Sequence, residues 1–224
     1  LLVRTDSEPK YDPLELIALL ERAAGEEPSE TFTGQTIDYY GLKARFASDT
    51  LNSLNFPTSG YTLDASYTRL EEISDVLTDP DITTFEGEAS WATQLAGIGV
   101  YASLEGAKVD NGTDPATAFY LGGFKRISGA RDQSIPATAY GLARVEAFKR
   151  LTSVRNVTGV AMYLGGTLEY ADVEFDNFLL GYDDSIWAGS IYGAFETPIG
   201  PAYLAYGQAE EGRQTFYFFF GHAF

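Results

Sequence analysis

A chain of 224 residues with 32 acidic and 15 basic side chains carries a formal charge of −17, which excludes the basic footprint of nucleic-acid binding and any simple attraction to anionic lipid headgroups. With no Cys and a single His, neither a disulfide framework nor a zinc site is expected. Aromatic residues are abundant, at 15 Tyr, 15 Phe and 2 Trp, yet no run approaches the roughly 18 consecutive apolar residues of a membrane-spanning helix.

Residues 1–34 stand apart as an N-terminal segment. Pro13 to Gly25 has helix-forming composition, with Pro at a plausible first helical position and Gly at the stop. Beside a barrel it reads equally as one more strand, and both readings stay open. From residue 35 to 224 the pattern changes to a strand–turn rhythm. Nine segments read as strands: roughly 38–49, 61–72, 84–96, 98–109, 138–151, 159–171, 185–197, 202–209 and 215–224. Each is near the roughly 9–11 residues with which a tilted strand crosses a bilayer.

Alternation is clearest in 162–170. Met162, Leu164, Gly166, Leu168 and Tyr170 share one face, while Tyr163, Gly165, Thr167 and Glu169 share the other. Between 139 and 149 the even positions hold Arg144 and Glu146 and the odd ones hold Ala, Gly and Val. Charge gathered on one face of a strand is what a water-filled lumen requires. The connections fall into short turns at 55–60 and 197–201, and longer polar stretches at 73–83, 110–117, 122–137 and 172–184. Short turns on one side and long loops on the other are the habit of outer-membrane barrels.

The chain ends with an aromatic-type side chain at every second position: Phe216, Phe218, Phe220, His222 and Phe224. In water such a strand is an aggregation hazard. In a transmembrane β-barrel it is a lipid-facing stripe. The expected fold is therefore all-β, an antiparallel transmembrane β-barrel, with a strand of a soluble all-β binding module as the alternative.

Catalytic chemistry is sparse. No Gly-x-Ser-x-Gly elbow occurs, since Gly189-Ser190-Ile191-Tyr192-Gly193 has the wrong spacing. His222 lies on the apolar face, a poor place for a general base. Glu71-Glu72 and Asp79-Pro80-Asp81 read as solvated loop charge rather than a calcium site. Gly122-Gly123 lacks the Lys and the following helix of a phosphate loop, and Asn111-Gly112-Thr113 reads as a turn. No catalytic residue, metal ligand or cofactor is assigned.

Three stretches carry a family resemblance. Asp49-Thr50-Leu51-Asn52 followed by Phe56-Pro57-Thr58-Ser59-Gly60 resembles the Asp-Thr-Leu-Asp and Phe-Pro-Arg-x-Gly turn of the bacterial surface antigen superfamily. Leu121-Gly122-Gly123-Phe124-Lys125-Arg126-Ile127-Ser128-Gly129-Ala130-Arg131 looks like that superfamily's inward-folded loop. Glu196-Thr197-Pro198-Ile199-Gly200-Pro201 looks like its turn between late strands. With the terminal Phe, the likeness covers about residues 35–224. It is nearest to the barrel attached to patatin-like phospholipases of the type V secretion class, whose loop tends toward Leu-Ser-Gly-Tyr. Here the loop has Ile127-Ser128-Gly129-Ala130, and the Arg of the general assembly factors is replaced by Ser128, which counts against an insertase role.

The resemblance implies that a basic group of the inward loop, Arg126 or Arg131, meets Glu169 or Glu146, with an unpaired solvated loop as the alternative. It implies a bacterial outer-membrane location and sixteen strands. Against that count, nine or ten strands and a start at Leu1-Leu2-Val3-Arg4, with no initiator Met or signal peptide, make the C-terminal part of a longer barrel the expectation. A self-contained ten-strand barrel is the alternative. The implied role is anchoring or translocating an upstream passenger of the same polypeptide, without catalysis in this chain. Rival readings are a general protein translocase or insertase and an outer-membrane lipid enzyme. The partners implied are outer-membrane lipids and the barrel assembly machinery, with homodimerisation also open and no nucleic acid.

Overall fold

The computed structural model describes residues 39–72, 81–111, 117–154, 160–176, 181–197 and 200–221. Eleven strands follow in chain order: β1 (Tyr39–Asp49), β2 (Gly60–Glu72), β3 (Ile82–Leu95), β4 (Ile98–Asp110), β5 (Phe119–Leu121), β6 (Ile135–Ala137), β7 (Ala139–Val154), β8 (Val160–Asp176), β9 (Gly181–Thr197), β10 (Gly200–Ala209) and β11 (Gln214–Phe220). Nine of them form one antiparallel sheet in the order β1-β2-β3-β4-β7-β8-β9-β10-β11, and β5 pairs only with β6. Every neighbour in the large sheet is also the next long strand in sequence, the meander that short hairpin connections produce. The outer edges of β1 and β11 have no neighbour among the described residues, so the sheet is open there.

The side-chain period of two runs in phase across all nine strands, broken only by a bulge between Arg150 and Thr152 of β7. Asp64 stands opposite Glu88, Glu88 opposite Glu105 and Glu105 opposite Leu142, all on the inner face. On the outer face Leu104 stands opposite Ala143, Ala143 opposite Tyr170 and Tyr170 opposite Trp187. The outer face is the apolar one: Phe216 is 80% exposed, Phe218 79%, Ile191 67%, Leu104 64% and Leu168 59%. The buried groups of the inner face include Glu146 and Glu169. The sheet curls about that inner face, since Phe56, between β1 and β2, stacks on Tyr163 of β8 at 3.8 Å between ring centroids.

Three expected boundaries change. Residues 172–184 are largely strand, because the alternation continues past Tyr170: Ala171 and Val173 are fully buried while Asp172 and Glu174 point outward. Charge in a strand's outer face mimics a loop when only polarity is read. The turn at 55–60 is part of a ten-residue connection, 50–59, that folds inward. It is framed by Asn52, whose Oδ1 accepts from the amides of Thr58 and Ser59. The stretch 122–137 is no solvated connection: most of it is buried inside the curl, and it includes β6. By contrast Ala96-Gly97, both at positive φ, make the two-residue hairpin that this geometry favours. The N-terminal segment 1–34 lies outside the described residues, as do Asp79, Pro80, His222 and Phe224. Glu71 and Asp81 each pair with Arg69, and Tyr40 donates to Glu71.

Two glycines separate the faces energetically. A methyl group on Gly165, on the inner face of β8, would overlap the Tyr192 ring, whereas one on Gly141, on the outer face of β7, meets nothing within 4 Å. Gly165→Ala is expected to destabilise the folded chain by ~1–3 kcal/mol through overpacking. Gly141→Ala should be neutral or slightly stabilising. Urea midpoints of the refolded variants read both effects, and equal midpoints would mean that Tyr192 does not press on β8.

Candidate functional site: the inward loop and its seat

Between β5 and β6 the chain turns into the curl of the sheet. The turn needs left-handed backbone at several positions, at Gly122, Gly123, Lys125, Ile127 and Gly129 among others, with φ between 66° and 113°. For Ile127, a β-branched residue at φ 71°, this is a genuine outlier. It is held by complete burial in a cluster that includes Leu121, Ala130, Ala171, Val173 and Ile186. Burying such a side chain is worth roughly 1.5–3 kcal/mol, enough to offset the local strain of roughly 1–3 kcal/mol.

Two carboxylates on the sheet seat the loop. Glu169 of β8, 1% exposed, accepts the Ser128 amide at 2.6 Å and the Ser128 hydroxyl at 2.7 Å. The Thr167 hydroxyl donates to it as well, at 2.5 Å. Glu146 of β7 accepts the Lys125 ammonium at 2.7 Å and a hydrogen bond from the Tyr192 hydroxyl. Lys125 lies within 5.0–5.5 Å of the ring centres of Tyr192, Tyr203 and Phe124, where the ring faces attract a cation. Burial pulls the Lys125 ammonium below the ordinary lysine value, against the opposing pull of Glu146.

The rest of the loop is tied from both sides. Arg126 donates to Glu105 of β4 at 2.5 Å and to the Tyr140 hydroxyl at 2.8 Å, and Arg144 of β7 donates to the Lys125 carbonyl at 2.8 Å. At Gly129 the loop presses on the last two strands. Tyr217 accepts the Gly129 amide and donates to the Ala130 carbonyl, both at 2.9 Å, and the Thr215 hydroxyl donates to the Gly129 carbonyl at 2.8 Å. A side chain on Gly129 would overlap the Ala209 backbone, and one on Gly207 of β10 would come within 2.7 Å of the Gly129 nitrogen. Both glycines permit this close approach.

The two acidic residues expected to meet the loop, Glu146 and Glu169, both do so, but through other donors. Neither Arg126 nor Arg131 reaches them: Arg126 turns to Glu105, and Arg131 is exposed at the outer end of the loop. The physical reason lies in the backbone. The Ser128 amide and hydroxyl already occupy both oxygens of Glu169, and the left-handed turns at Lys125 and Ile127 direct Lys125 to Glu146 and Arg126 to Glu105. The sequence places Arg144 on the lumen-facing side and Lys125 in the loop, but it does not mark Lys125, Glu105, Arg144 or Tyr192 as the groups that hold the loop. Lys125 adjoins Arg126, and in the sequence nothing tells which of the two meets Glu146. Gly122 and Gly123 serve the backbone turn, and Phe216, Phe218 and Phe220 face outward.

Removing one member of the buried pair leaves the other charge unpaired. Lys125→Met is expected to cost about 3–5 kcal/mol, and Lys125→Met with Glu146→Leu should recover much of it. Glu169→Ala orphans the Ser128 amide along with two hydroxyls, at roughly 1–3 kcal/mol per group. Denaturant titration of the folded protein checks both, and an uncoupled pair of single-variant effects at 125 and 146 would show that the two side chains act independently.

No protein-family model matches this chain, and no curated protein matches it.

Proposed function

We propose that this chain is the membrane-embedded barrel portion of a bacterial outer-membrane protein of the surface antigen type, and that it anchors or translocates a passenger carried upstream in the same polypeptide. One observation carries the reading. The nine-strand sheet is inverted relative to a water-soluble one, with Phe, Leu, Ile and Trp exposed on its convex face and ion pairs on its concave face. Soluble monomers rarely leave large apolar surfaces uncovered, whereas a lipid-facing sheet requires them. The ring pairs Tyr170–Trp187 and Tyr206–Phe216, each 4.9 Å between centroids on the outer face, suit the aromatic girdle of a membrane interface. In hydrocarbon every backbone amide needs a partner, so the edges of β1 and β11 need further strands or each other. The sixteen-strand barrel of the resembled family would meet that need.

On this reading the chain supplies no catalytic step. Its work is mechanical: a paired backbone across the bilayer and a lumen occupied by the seated loop. The general insertase reading has less support, because Ser128 stands where the assembly factors carry Arg. The soluble-module reading has to explain Phe residues about four-fifths exposed.

Both tryptophans, Trp91 and Trp187, face outward and are about half exposed. In vesicles of brominated phosphatidylcholine their fluorescence should be quenched by the bromine-bearing chains and shielded from aqueous iodide. Leu168→Lys, just inside the Tyr170–Trp187 girdle, should destabilise the inserted protein by ~1–2 kcal/mol, between the mid-bilayer and interfacial costs of a lipid-facing lysine, where a water-exposed leucine would tolerate the change within about 0.5 kcal/mol. A detergent-free monomer with iodide-quenched tryptophans and an indifferent Leu168→Lys would end the membrane reading.

A further inference from the structure

Beside the seated loop, the β1–β4 half of the curl keeps a polar channel. A cavity of about 520 Å³ and another of about 680 Å³ share Arg45, Asp64, Glu88, Glu105 and Arg126 in their walls, so the two meet. Opposite charges line the passage in pairs, Arg45 with Asp64 at 2.6 Å and Arg126 with Glu105 at 2.5 Å. One end of the larger cavity is walled by Leu51, Leu54, Asn55 and Pro57 of the 50–59 connection. That connection is long for its position, since at the same end of the sheet Ala96-Gly97 suffices to join β3 to β4.

We propose that the β1–β2 connection is a latch that closes this channel to small hydrated solutes and ions, with Phe56 as its bolt. The proposal rests on the membrane-barrel reading. Three features mark a latch rather than a filled core. The connection is stiffened from within: Asn52 holds the Thr58 and Ser59 amides and the Thr58 hydroxyl, Ser53 accepts the Phe56 amide, and Asp49 accepts the Leu51 amide. It therefore moves as a unit. Its grip on the far wall is concentrated in Phe56, 4% exposed, which stacks on Tyr163 and lies 5.4 Å from Phe148 and 6.0 Å from Tyr203, measured between ring centroids. The face turned away from that grip is solvated, with Leu54 72% exposed. A rigid flap held by one aromatic insertion has two discrete positions, in and out, as a gate requires.

The test uses the polypeptide that closes the barrel, this chain together with the strands the membrane-barrel reading places upstream, in phosphatidylcholine vesicles loaded with potassium chloride and a small sugar. The wild-type protein should retain both. Phe56→Ala should release them on the order of tenfold faster or more, the shift in open population expected from losing the bolt. Asn52→Ala, which loosens the frame at an exposed site and leaves the aromatic cluster intact, should also speed release and decides the matter if Phe56→Ala does not insert. Inserted variants that retain solute as wild type does would overturn the latch while leaving the barrel standing. A wild-type protein that leaks as fast as Phe56→Ala would also overturn it. A wild-type chain that does not enter vesicles at all would sink the membrane reading and the latch with it.

Discussion

Backbone pairing along nine consecutive strands commits both faces of the sheet at once. Because the register runs from β1 to β11 with a single shift, at the bulge between Arg150 and Thr152, each residue's side away from that bulge is settled by its parity, and a one-residue slip of β8 would drive Glu169 to the outside and Leu164 and Leu168 to the inside. The inner face can bury Glu146 and Glu169 only because a loop brings them an ammonium, an amide and a hydroxyl. The outer face can be aromatic only where no water has to be met. Each feature of the molecule answers to this phase: the inward glycines where rings cross, the girdle pairs, the strained backbone at Ile127.

The strands were readable from sequence because barrel strands repeat a two-residue code that turn residues interrupt cleanly. All nine expected strands exist, and the antiparallel all-β architecture follows from their short connections. What misled was polarity taken as a sign of loop. Asp172, Glu174 and Asp183 lie on the outer side of stretches whose inner positions, Ala171, Val173 and Ile186, are apolar and buried, so the alternation, not the mean polarity, is the true signal there. The buried ammonium of Lys125 was hidden for a different reason. Adjacent Lys and Arg in an irregular segment carry no period, and only the left-handed backbone at Lys125 and Ile127 decides which one meets Glu146. Phe56 was hidden likewise, inside a motif whose Pro and Gly read as a plain turn.

The interior is a set of coupled pairs rather than a single anchor. Glu169 binds main chain, so its hold on the loop depends little on which residue occupies position 128 beyond its hydroxyl. Glu146 binds a side chain and is sensitive to it. A loop held by one backbone-directed and one charge-directed contact is fixed in both position and orientation. Two contacts of the same kind along one line would leave it free to swing about that line.

The contact of Gly129 with Thr215 and Tyr217 also has a temporal side. Those partners lie 86 and 88 residues further along the chain, among the most distant hydrogen bonds of the described residues. Closing so long a stretch carries an entropic cost that is recovered only when the final strand docks. The Gly129 end of the loop thus cannot dock until β11 is in place, and Lys125 stays open to water on one side until Tyr203 of β10 covers it. Completion of the last strand and dehydration of the interior become one event, so that a chain stalled before its end remains wet inside and distinguishable from a finished one.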